Sequence, residues 1–122
     1  MNTKQFGNIA IGKAINYFLS KGYVVSIPIN DSQSYDLIVE FDNKLNKIQV
    51  KMTSQKSECN IFSVDLRSTG GNQSRNTIKH FDPNSCDYVF ACTTDDQSFL
   101  IPSNKCNKHS VALGEKVKEY KL

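Results

Sequence analysis

Between residues 4 and 21 the apolar side chains Ile11, Ile15, Phe18 and Leu19 recur at helical spacing, with Ala10 and Ala14 alongside. This pattern predicts a first helix that Gly22 stops. Residues 23–27 form a β-branched and aromatic run ended by Pro28, and the polar cluster at 30–34 predicts a loop. Residues 35–40 (Tyr-Asp-Leu-Ile-Val-Glu) and 47–52 (Lys-Ile-Gln-Val-Lys-Met) lie either side of Asp42-Asn43-Lys44. They predict a β-hairpin with a polar turn. Residues 59–66, with Ile61, Phe62, Val64 and Leu66, predict a further strand. After Pro83, the apolar segments 86–92 and 98–102 flank Thr93-Thr94-Asp95-Asp96-Gln97 and predict a second hairpin. The tail from 111 to 122 reads as a short helix with Gly114 near its start.

Helix, several strands, a strand pair and a tail together predict an α/β or α+β core with the first helix packed on the sheet. A length of 122 residues fits one domain, 1–122, able to bury its own core. Fifteen Lys and Arg against twelve Asp and Glu leave a net charge of only +3, so any nucleic-acid site must come from local clustering. Cys59, Cys86, Cys92 and Cys106 show no C-x-x-C and no paired Cys/His spacing, which argues for reduced thiols rather than structural zinc. His80 and His109 have no partner spacing and read as structural or surface residues. No segment approaches the roughly 20 apolar residues of a membrane span, and residues 1–5 lack the apolar run of a signal peptide. A cytoplasmic protein without membrane contact is expected.

The first hairpin carries the candidate chemistry. Asp36 starts one strand, while Gln49 and Lys51, two apart on the other, point to one face by the period of 2. A metal-dependent phosphodiesterase needs such a set: an acid for a divalent cation, a second oxygen ligand, and a lysine near the attacking water or the developing phosphorane charge. Every ionic residue between 67 and 79 is basic, and the amides, hydroxyls and paired glycines there make this the best candidate surface for DNA. Arg67, Arg75 and Lys79 suit phosphates, while Asn72 and Gln73 suit adenine edges.

Gly-Tyr-Val-Val at 22–25, Pro28, Tyr-Asp-Leu-Ile-Val at 35–39 and Ile-Gln-Val-Lys at 48–51 follow the first helix in order. Gly70-Gly71-Asn72, Phe81-Asp82-Pro83, Asp87-Tyr88-Val89-Phe90 and Phe99-Leu100-Ile101-Pro102-Ser103 extend the set. The chain resembles the PD-(D/E)XK endonucleases, and within them the group I intron homing endonucleases of cyanobacterial type, in which Gln replaces the second acid. The resemblance implies a restriction-endonuclease-like core with a mixed central sheet and flanking helices. It implies Asp36 as metal ligand, Gln49 as neutral ligand or water-orienting group, Lys51 beside the nucleophile or scissile phosphate, and the Val50 carbonyl completing a Mg2+ site. It further implies double-stranded DNA as substrate and a homotetramer, a dimer of dimers. Symmetry alone argues for a homodimer at least, since one small domain covers little duplex.

One departure stands out. Related sequences carry a helical glutamate after a Gly-x-Ile-x pattern, and Gly7-Asn8-Ile9-Ala10 places Ile11 there. A shifted helix register, substitution by Glu40 or Glu58, and a variant with poor cleavage all explain it; Glu40 is displaced along its strand from Asp36, so the deficient site is favoured. The leading function is therefore a sequence-specific, Mg2+-dependent DNA endonuclease of homing type. A restriction-type or Holliday-junction-resolving nuclease, or a catalytically impaired DNA-binding variant, are the alternatives.

Overall fold

The computed structural model describes residues 2–30, 32–69 and 78–122. Helix α1 (Thr3–Ser20) opens with a capping box: Gln5 N–H donates to Asn2 Oδ1 at 2.9 Å and Asn2 N–H to Gln5 Oε1 at 2.8 Å. It closes with Gly22 at φ 80°, where Tyr23 N–H donates to the Phe18 carbonyl and Gly22 N–H to that of Leu19. This double closure needs a left-handed residue that glycine adopts without strain. The buried stripe is Ala10, Ala14 and Phe18, flanked by Ile11 and Ile15, and Leu19 faces solvent. Two alanines along the stripe let the helix approach the sheet closely.

Strands β1 (Val24–Ser26), β2 (Leu37–Phe41), β3 (Lys44–Thr53), β4 (Ser63–Asp65), β5 (Ser68–Thr69), β6 (Ile78–Lys79), β7 (Tyr88–Thr93), β8 (Ser98–Pro102) and β9 (Ser110–Ala112) follow. Short 3-10 turns occupy Ser103–Lys105 and Glu115–Tyr120. The central sheet has the order β1-β2-β3-β7-β8 and is mixed: β3 and β7 pair in parallel, the other neighbours antiparallel. Leu37, Val39, Ile48, Val50, Phe90 and Cys92 face α1. Val89, Ala91, Phe99 and Ile101 face the other way, under a layer built from Phe62, Val64, Leu66, Phe81, Val111 and Val117. β7 is thus buried on both sides, as its apolar run foretells.

Several expected boundaries move. Asp42 and Asn43, at φ 55° and 58°, make a two-residue hairpin turn, so Lys44 already belongs to β3. Only Lys44–Ile48 pairs with β2; the rest of β3 runs beside β7 alone on that sheet. Residues 57–60 turn back, with Asn60 N–H donating to Ser57 C=O at 2.9 Å, which shortens the strand expected at 59–66 to β4. Val111 lies in β9, paired with Val64, and helical structure starts only after Gly114. Within segment 67–79, the expected DNA surface, Ser68–Thr69 and Ile78–Lys79 pair as a ladder of β5 with β6. Among the described residues no helix is long and apolar enough to cross a membrane.

Candidate active site

Alternation along β3 puts Gln49 and Lys51 on the face away from α1, opposite Val89 and Ala91 of β7, and both are half-buried. Asp36 sits one step beyond the Leu37–Ile48 pair, facing Gln49 across the hairpin. Two hydrogen bonds hold it there. Asp36 N–H donates to the Ile48 carbonyl at 2.8 Å, and Val50 N–H donates to Asp36 Oδ2 at 2.8 Å.

The consequence concerns oxygen atoms. N–H and C=O of one strand residue point to the same side of the strand, so the Val50 carbonyl faces the Asp36 side as well. The β2 ladder has already ended there. A carboxylate and a peptide carbonyl therefore share one edge, with the Gln49 amide and Lys51 ammonium on the adjoining face. Oxygen donors of this kind suit a hard divalent cation.

Ile11 is half-buried and packs against the cluster that contains Leu37, Ile48 and Val50, across the sheet from Gln49 and Lys51. Glu40 is exposed, bracketed by Val24 and Leu45, and four residues beyond Asp36, about 13 Å at strand rise. It shares no ligand position with Asp36. Glu58 is exposed within the turn at 57–60. Among the described residues no three His, Cys, Asp or Glu side chains gather as a metal site.

Of the residues expected to meet DNA, Lys79 is exposed in β6, while Asn72, Gln73 and Arg75 lie outside the described residues. Arg67 is engaged by a partner that the sequence reading passed over. Its backbone N–H and Nε donate to Asp65 Oδ1 at 2.9 and 3.1 Å, and its Nη2 to Oδ2 at 3.0 Å. These bonds hold the Asp65 carboxyl below the usual carboxylate range and raise the Arg67 guanidinium further. Acid and base two apart at a strand end was the available signal.

An open pocket of about 440 Å³ lies past Lys51, at the end of β3, bounded by Met52–Gln55, the β4–β9 ribbon and Phe6 of α1. Asp65, His109 and Gln55 line it.

Sheet order, the clamped acid and the half-buried Gln-x-Lys define a nuclease core of restriction-endonuclease type. The sequence matches the PD-(D/E)XK endonuclease family over residues 1–121, and the chain belongs to that family. Among solved structures it is similar to a bacterial homing endonuclease, I-Ssp6803I, with a TM-score of 0.82 and 26% identity, covering 99% of this chain and 89% of that one. No curated protein sequence matches it.

Proposed function

We propose that the chain is a sequence-specific endonuclease of homing type that hydrolyses phosphodiester bonds of double-stranded DNA with Mg2+. The hydrogen bond from Val50 N–H to Asp36 Oδ2 carries this reading, because it ties the acid to the strand that bears Gln49 and Lys51. A bound divalent cation would polarise the phosphoryl oxygen and lower the pKa of an attacking water. Asp36 and the Val50 carbonyl are the oxygens to hold it. Gln49 contributes a neutral amide oxygen or orients the water, and Lys51 places positive charge beside the attacked phosphate. With one carboxylate in the set, the cation depends on water and substrate phosphate for its remaining ligands.

Cutting both strands requires two such sites, which favours a homodimer at least and a dimer of dimers by likeness to the homing enzymes. A single domain acting in the cytoplasm completes the reading. The packing of Ile11 against the apolar cluster favours one second reading, a DNA-binding protein on the nuclease fold whose cleavage is impaired.

Incubation with Mg2+ and a plasmid pool of random inserts, followed by sequencing of new ends, tests the first reading. Ends that share a motif and vanish with Asp36→Asn support it; binding without ends supports the second.

A further inference from the structure

We infer that Asp65 reads a base: its carboxylate accepts a hydrogen bond from the exocyclic amino group of a cytosine or adenine flanking the cleaved phosphate. This rests on the nuclease reading above and adds a specificity determinant to it. Three observations lead there.

The first is position. The pocket that Asp65 lines begins with Met52 and Thr53, the residues that follow Lys51 in β3. Its other walls belong to Phe6 of α1 and to the β4–β9 ribbon, where β4 leads through Leu66 and Arg67 to β5, the strand paired with Lys79. Ser54 is three residues from Lys51, about 10 Å along the strand. On the inferred path, a duplex that touches both Lys51 and the β5–β6 ribbon covers this pocket.

The second is orientation. Arg67 donates three hydrogen bonds to the Asp65 carboxylate, yet the Asp65 side chain stays 58% exposed. A carboxylate offers about four acceptor positions. Arg67 therefore fixes the group while leaving acceptor capacity toward the pocket.

The third is charge. The acceptor positions that Arg67 leaves open cost affinity on a surface that meets DNA unless a further donor satisfies them. Of the base edges in the major groove, cytosine N4 and adenine N6 are the donors. Guanine and thymine present acceptors there, which the Asp65 carboxylate repels.

Binding-site selection from a randomised duplex pool, with Ca2+ replacing Mg2+ to hold off cleavage, tests this. The unmodified protein is expected to select cytosine or adenine at one position, and Asp65→Asn to relax that preference about tenfold with the rest of the motif intact. Arg67→Ala should relax the same position, since the carboxylate loses its orientation. A cooperative thermal transition verifies the fold of each variant. A motif unaltered by Asp65→Asn, or weakened evenly at every position, overturns the inference while the nuclease reading stands. Absence of any duplex binding by the unmodified protein overturns both.

Discussion

Val50 N–H donates to Asp36 Oδ2 at 2.8 Å, so a side-chain oxygen occupies the strand edge just where the β2–β3 ladder ends. That one bond brings the acid, the Val50 carbonyl and the Gln49–Lys51 face together. Its chemical consequences can be measured separately.

A site with a single carboxylate binds its cation weakly until substrate adds oxygen ligands. Titration calorimetry with Mg2+ should show little heat for the free protein and clear binding in the presence of target duplex. Tight binding by the free protein would point to a further acid in the site.

Ile11→Glu should raise Mg2+-dependent cleavage if the helix position serves the site. The cost is a half-buried apolar contact exchanged for a charge, so the variant is expected to melt at lower temperature than the unmodified chain. Faster cutting together with lower stability is the expected pair. No gain in rate would assign Ile11 to packing alone.

Lys79→Ala should lower duplex affinity and reduce the slope of log K against log salt by about 0.9, the release expected for one phosphate contact. An unchanged slope takes Lys79 out of the interface.

The Asp65 pKa is depressed in the folded chain, chiefly by the side-chain hydrogen bonds from Arg67. The contribution of the pair is therefore present above the ordinary value of 3.8 and is lost as pH falls through the lower folded value. Thermal melting of Asp65→Asn should decline less steeply with acid over this window. Parallel acid profiles would show the pair adds nothing to stability.

Burial raises the thiol pKa values of Cys86, Cys92 and Cys106, the last to about 11, whereas Cys59 is exposed. A thiol reagent near neutral pH should modify one cysteine rapidly in the native protein and all four after unfolding. Rapid reaction of several thiols would contradict the packing around them.

The elements legible in the sequence were those with a local physical signal. Gly22 marked the helix end because the closing geometry requires a left-handed residue, and the alternation through residues 47–51 set which side chains share a face. Leu19 matched the helical period yet is exposed, since Ala10, Ala14 and Phe18 already fill the contact with the sheet. Non-local pairing was hidden: the three-residue β9 finds Val64 across a long stretch of chain and carries too few residues to show a period. Asp36, Gln49 and Lys51 were legible as a set from spacing and resemblance. The hold of Asp65 on Arg67 had only their spacing of two as a signal, because it depends on where β4 ends.

Cleavage by the Lys51→Ala variant tests the central claim most directly, with duplex binding followed in parallel. Loss of Mg2+-dependent cutting by about 100-fold or more at nearly unchanged affinity is predicted, as for removal of a group that stabilises developing charge. Cutting at the unmodified rate would contradict the assignment of Asp36, Gln49 and Lys51 as the active site.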